Sequence, residues 1–306
     1  MEEARSQTEL LDSSFASADA LTLRNILLAT DFSDCSARAL NYALGIASRY
    51  AAKLHLFHCI DPVPYNMVGP DAVETAYEAA WRDMRQLDSG LRSGGLEKSV
   101  EVKLLVEAAD LPTILPEIVR ELDIGLIVAG THGRTGLKKL VLGSVAEIVV
   151  DYASCPVLTV GPSTDRNRLE RFGPESILFA RNRSAGSKLA ESYAFSLAQK
   201  YNSRLALADV LEEGSAGVVA QVSRFNESQS REIGGNSTNP TQLRTEIGTQ
   251  SDLILQMADD SAADLIVLTV PADHRFTNRF LSTSSYRVLC GAPCPVLTVR
   301  TNSSEG

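Results

Sequence analysis

The chain reads as an α/β protein, with a mainly parallel sheet covered by helices on both faces and with the whole arrangement written twice in tandem. Three observations predict this. Short apolar runs alternate with segments of helical periodicity from residue 25 to residue 160, and strands alternating with helices build parallel sheets. Two long stretches recur further along the chain. The hexapeptide CPVLTV stands at 155–160 and, letter for letter, at 294–299.

The elements of the first copy follow in order. NILLAT (25–30) is a short apolar run that ends in the polar turn DFSD, as a buried strand does. Ser33 or Asp34 suits the N-cap of the next helix. ARALNYALGIASRYA then sets Ala39, Ala43, Ile46, Ala47 and Tyr50 at helical spacings. KLHLFHCI (53–60) is the second strand, and its His55 and His58, three apart, face opposite ways, which argues against a shared metal. DAVETAYEAAWRDMRQLDSGLRSGG is a helix ending in glycines. SVEVKLLVEA alternates as a strand, and PTILPEIVREL is a helix with Pro112 in its first turn. IGLIVAG (124–130) is a strand, GSVAEIVVDYA a helix and CPVLTV the last strand.

The repeat is larger than the hexapeptide. Residues 25–60 align without gaps on 176–211 with 12 of 36 positions identical, and 124–160 align on 263–299 with 12 of 37. The offset falls from 151 to 139, so the second copy lacks about 12 residues in its middle. The expected organisation is a flexible tail (1–20), a first domain (21–161), a linker (162–173), a second domain (174–301) and a short C-terminal tail (302–306). The polar stretch 226–242 reads as a mobile loop.

Composition narrows the function. The formal net charge is −9 and the isoelectric point about 5.1, so the basic footprint of a nucleic-acid binder is missing. Five scattered cysteines without a CxxC spacing fit reduced thiols in the cytoplasm better than a disulfide framework or zinc site. Cys35, close to a helix start, is a weak candidate for a reactive thiol. No apolar run reaches bilayer-spanning length. The N-terminus is acidic and lacks the basic start and apolar centre of a signal peptide.

The segment equipped for chemistry is GTHGRTGLKKLVLGS (130–144), with Gly130, Gly133 and Gly143 spaced G-x2-G-x9-G and followed by Ser144. Glycines let backbone amides approach a phosphate. Gly143 and Ser144 open a helix whose N-terminus offers amide donors, and the Ser144 hydroxyl can donate as well as cap. The spacing is neither a Walker A loop nor GxGxxG. His132 has no nucleophile pattern beside it and suits loop hydrogen bonding. Arg134, Lys138 and Lys139 fit either phosphate contact or a solvated loop edge.

This glycine–serine spacing, the strand IGLIVAG before it, the segment SVAEIVVDYASCPVLTV after it and the opening ILLATDFSDCSARAL resemble the universal stress protein (UspA) family. The resemblance covers both copies. It implies two Rossmann-like, adenine nucleotide alpha hydrolase-like domains, each a mainly parallel five-stranded sheet of order 3-2-1-4-5. It further implies ATP, with or without Mg²⁺, as ligand of the first copy. Ala29 would line the pocket, Asp31 would face the ribose and phosphates, and Cys59 would meet the adenine through its backbone. Ala129 and Gly130 would contact the ribose, and Gly133, Gly143, Ser144 and Val145 the phosphates. An Asp after a strand also makes Asx turns. In the family, the fifth strand pairs across the dimer interface, so the CPVLTV strands are expected to join the two domains or two chains.

In the second copy Thr269, Ala272 and Ser282 replace the three glycines, Thr283 stands for Ser144 and Asn182 for Asp31, and Pro271 removes an amide donor. The expectation is therefore one nucleotide site per chain. The expected role is stress-response regulation, with an unidentified regulatory protein partner and at most weak ATP hydrolysis or autophosphorylation. The alternatives are an interaction module without nucleotide and a nucleotide-activating enzyme. The latter calls for an SGGxDS-like loop where this chain has ATDFSDCS.

Overall fold

The computed structural model describes residues 21–65, 69–94, 100–133, 142–164, 173–181, 187–211, 241–247, 249–271 and 284–301. Both expected tails, linker residues 165–172, Arg134, Lys138, Lys139, Asn182, Ala272, Ser282 and Thr283 lie outside them.

The first half runs β1 (Asn25–Ala29), α1 (Asp34–Tyr50), β2 (Lys53–Ile60), α2 (Pro70–Ser93), β3 (Val102–Ala108), α3 (Leu111–Glu121), β4 (Ile124–Gly130), α4 (Ser144–Tyr152) and β5 (Val157–Val160). The second runs β6 (Ser176–Arg181), α5 (Ser187–Tyr201), β7 (Arg204–Leu211), β8 (Thr241–Ile247), α6 (Gln250–Asp260), β9 (Leu265–Pro271), α7 (Ser284–Gly291) and β10 (Val296–Thr301). The loop expected over 226–242 ends sooner: Thr241 and Gln242 already pair with Leu205 and Ala206 of β7. Residues 226–240 lie outside the described residues.

Among the described residues the strands form one sheet of order β3-β2-β1-β4-β5-β10-β9-β6-β7-β8. Each half keeps the expected order 3-2-1-4-5. Of the two expected joins, between the domains or between two chains, the one seen is within the chain, where β5 and β10 pair and make the two five-stranded sheets continuous. That pairing is antiparallel, whereas the strand pairs within each half are parallel.

The repeated hexapeptide explains the join. Leu158 faces Leu297, Thr159 faces Val296 and Val157 faces Thr298. The Thr159 hydroxyl donates to the Val296 carbonyl at 3.2 Å, and the Thr298 hydroxyl to the Val157 carbonyl, also at 3.2 Å. VLT is thus self-complementary when two copies run antiparallel, and an apolar edge that would otherwise invite association is covered within the chain.

Strand side chains alternate between two layers. Ile26 and Leu28 join α1, α2 and α5 in one core cluster, while Leu27 and Ala29 join α3, α4, α6 and α7 in the other. Both clusters contain residues of both halves, so the cores cross the join as the sheet does. On the first face the helix ends are also tied: Arg49 donates to the Lys200 carbonyl at 2.7 Å, and Tyr50 and Tyr201 stand 6.4 Å apart.

Candidate phosphate cradle at the ends of strands one and four

In a sheet of this order the carboxyl ends of β1 and β4 lie side by side, and β2 and β5 leave in opposite directions. A crevice opens there. Ala29 is the register partner of both Phe57 and Ala129, so the two alanines stand shoulder to shoulder at its floor.

The loop after β1 is a dense local network. The Ser33 amide donates to Asp31 Oδ1 at 3.0 Å, an Asx turn, so the structural role open to Asp31 is realised. The Phe32 amide donates to Thr30 Oγ1 at 3.1 Å. Ser33 caps α1, its hydroxyl accepting from the Ser36 amide at 3.2 Å, so Ser33 rather than Asp34 is the N-cap. Phe32 has a φ of 62°, a left-handed conformation that side chains rarely adopt. Its ring rests against His58, with centroids 4.7 Å apart, and His58 Nδ1 meets the Thr30 carbonyl at 2.7 Å.

The loop after β4 is sewn onto this one. The Ser33 hydroxyl donates to the His132 carbonyl at 3.3 Å, and His132 Nδ1 lies 2.9 Å from Thr131 Oγ1, a loop hydrogen bond as expected. Thr131 donates its amide to Val160 of β5 and accepts the Gly143 amide at 2.7 Å. The chain therefore returns to the crevice at Gly143, just before α4.

Close approach accounts for the glycines. A Cβ on Gly130 would stand 2.8 Å from the Cys35 carbonyl carbon and 2.9 Å from the Ser36 nitrogen, both main chain. A Cβ on Gly133 would lie 2.9 Å from Asp31 Oδ2, and one on Gly143 3.2 Å from the Thr131 carbonyl oxygen and 3.4 Å from the Gly133 nitrogen. The Gly130 approach is closer than real Cβ atoms come to main chain, the Gly143 approach is tight, and the Gly133 approach is to a side-chain oxygen. The three glycines thus bring α1, the Asp31 turn and the start of α4 to one place.

Gly143, not Ser144, is the N-cap of α4, and no side chain caps its first turn. That corrects the expected capping role of Ser144. Ser144 and Val145 are exposed first-turn residues, at the helix end where amides and the macrodipole favour an anion. The donors here, backbone amides of a short turn and a helix start and a serine hydroxyl, are of the kind that hold an anion, and the Asp31 carboxylate, an acceptor, stands across the crevice. These residues fit a nucleotide polyphosphate.

Cys59, at the end of β2, lies one residue beyond the His58 that contacts Thr30. Its thiol donates to the Ala109 carbonyl at 3.3 Å, and burial pushes its pKa up to about 11, which keeps the sulfur protonated. Cys35 is 3% exposed, with its sulfur 3.7 Å from the Val160 carbonyl. Its burial corrects the reactive-thiol reading. Among the described residues no group of three His, Cys, Asp or Glu could hold a metal ion, and no helix is long and apolar enough to cross a membrane.

The structure brings Ala29, Asp31, Ala129, Gly130, Gly133, Gly143, Ser144 and Val145 around one crevice, with Cys59 on the neighbouring strand. Sequence reading missed Thr30, Ser36 and Thr131: the Thr30 hydroxyl donates to Ser36 Oγ at 3.1 Å within the first loop, and the Thr131 carbonyl accepts the Gly143 amide within the second. Ser36 leaves one signal, since it is identical to Ser187 in the repeat.

Residues 22–161 and 174–300 match the universal stress protein family. A universal stress protein of Methanocaldococcus jannaschii is 34% identical over 148 residues, which is 45% of this chain and 81% of the relative. Among solved structures, a universal stress protein from Archaeoglobus fulgidus superposes with a TM-score of 0.66 at 19% identity, covering 91% of this chain and 98% of the other. A protein of unknown function from Pseudomonas aeruginosa superposes with a TM-score of 0.60 at 20% identity, covering 95% of each chain. At such identities the two structures speak for the fold alone.

Proposed function

The chain belongs to the universal stress protein family, and from that premise we propose that its first half binds ATP and that the protein acts as a nucleotide-responsive regulator. On this reading residues 21–161 and 174–301 are the two domains, joined by 162–173. The observation that carries the reading is the convergence of three closely approached glycines, Gly130, Gly133 and Gly143, on the start of α4, where no side chain of the N-cap bonds the first turn.

Phosphates fit the α4 amides, the Ser144 hydroxyl and the amides near Gly133. Ala29 and Ala129 are small enough to admit the ribose. The backbone of Cys59 serves the adenine, and Asp31 serves the ribose or a Mg²⁺ that accompanies the phosphates. Binding would shift the population of conformations or assemblies by its differential affinity, which is how a nucleotide regulates without being consumed.

The second half lacks the three glycines, with Thr269, Ala272 and Ser282 in their places. Thr269 is buried at the position of Gly130, where even one extra carbon would meet α1 in the first half. It serves as a fixed structural partner.

Calorimetry with ATP tests this directly. The expected result is one site per chain, with adenosine binding more weakly because it lacks the phosphates. Two equivalent sites, or none, would overturn it, and the latter would favour a protein-interaction module. Mass spectrometry of ligand released from denatured, purified protein is expected to find an adenine nucleotide.

A further inference from the structure

We propose that Tyr286, which belongs to the second half, is a positioning residue for the phosphate cradle of the first half. The inference rests on the nucleotide reading above. The Leu142 amide donates to the Tyr286 hydroxyl at 3.1 Å, across 144 residues of sequence. Both residues are buried, Leu142 at 2% and Tyr286 at 5% exposure.

Leu142 directly precedes Gly143. The Gly143 amide is bonded to Thr131 of the first half at 2.7 Å, whereas the Leu142 amide is bonded to the second half. Two successive amides at the entrance to α4 are therefore fixed from opposite sides of the join. The first-turn amides that face the phosphates begin one residue later. Their direction depends on where this entrance is held.

The phenol is built in. Tyr286 stands in the first turn of α7, and its ring belongs to the core cluster that also contains Ala146, Val149 and Val150 of α4. Burial raises the Tyr286 pKa, so the group stays protonated and its oxygen accepts a hydrogen bond as a neutral phenol. Cys290, one turn on, places its thiol against the same phenol and near the Leu142 backbone. The position equivalent to Tyr286 in the first half is Glu147, so the duplication does not repeat the phenol. Among the described residues the contact runs from the second half to the first half's cradle. A phosphate held at α4 and the geometry of the join are then thermodynamically linked, each stabilising the other.

Tyr286→Phe in the full chain removes one oxygen and keeps the ring. A buried amide that loses its phenol acceptor and a cradle less well held are expected to weaken ATP binding about fivefold to tenfold. Adenosine, which has no phosphate to place, is expected to bind both proteins equally. Hydrogen exchange at the Leu142 amide is expected to quicken. Unchanged ATP affinity overturns the proposal. Equal losses for ATP and adenosine overturn it as well, because they mark a general structural role. If wild-type protein binds ATP and adenosine alike, the cradle reading itself fails and takes this inference with it. Should the variant not fold, NMR of the wild type decides. ATP, but not adenosine, must shift the Leu142 amide and Tyr286 ring signals, and their silence overturns the proposal.

Discussion

Gly143 and Gly130 do different work within 13 residues, and single substitutions separate them. A Cβ on Gly143 meets the Thr131 carbonyl oxygen at 3.2 Å, tight but outside the sheet. Gly143→Val is expected to abolish ATP binding while circular dichroism and folding are retained, and wild-type affinity in this variant would show the cradle to be misassigned. At Gly130 the obstruction is main chain on α1, so Gly130→Ala is expected to lower stability by about 1–3 kcal/mol, read as a fall in the denaturation midpoint. Phe32 carries strain of another kind. Its left-handed backbone is held by the Asx turn, the Thr30 hydroxyl and the His58 ring. Strain kept where a ligand would sit is consistent with a function at that turn. The glycine spacing was legible in the sequence. The need for it at Gly130, namely the passage of α1, was not, because α1 is 95 residues away in the chain.

Strands and helices fell close to where periodicity put them, because each is set by local pattern and caps. The repeat goes deeper than letter identity. Ala51 and Asn202 both end their helices in left-handed geometry, and so do Asp123 and Ala262 before β4 and β9. These pairs obey the two sequence offsets although no residue matches within them. Backbone geometry outlasted the side chains, as a C-cap requires only a tolerated conformation. The join between β5 and β10 makes its own prediction. Each of Thr159 and Thr298 contributes one buried hydroxyl bond across it. Thr→Val at either position is expected to lose about 1 kcal/mol in chemical denaturation. The double variant is expected to depart from the sum of the two, since the sites are neighbours. No loss at either site would mean that the leucine pair and the ladder alone hold the join.

The molecule as a whole behaves as one sheet with two cores that both cross its middle. A single cooperative thermal transition is therefore expected, since neither half can unfold without exposing the other's core. Two separated transitions would show that the halves are energetically independent. Because β5 and β10 cover each other, the outermost strands among the described residues are β3 and β8. Edge β3 is guarded by charge, with Glu101 beside it salt-bridged to Lys53 and Lys103 at 3.4 Å and 3.1 Å. Such charges discourage edge-to-edge pairing. Sedimentation is expected to give a monomer of 33.0 kDa, and a stable dimer would show that another surface associates.

The sequence by itself determined the α/β class, the duplication, the order of elements and the spacing of the three glycines. These are properties of local pattern, and a hydrophobic period or a Cβ-free position is written where it acts. Only the tertiary structure decided that CPVLTV pairs with its own copy inside the chain, that the loops after β1 and β4 are sewn together through Ser33 and the His132 carbonyl, and that Tyr286 reaches back to Leu142. Those contacts join residues far apart in the chain, and which of them form depends on the packing of the whole sheet. Periodicity, which knows only neighbours, carries no record of it.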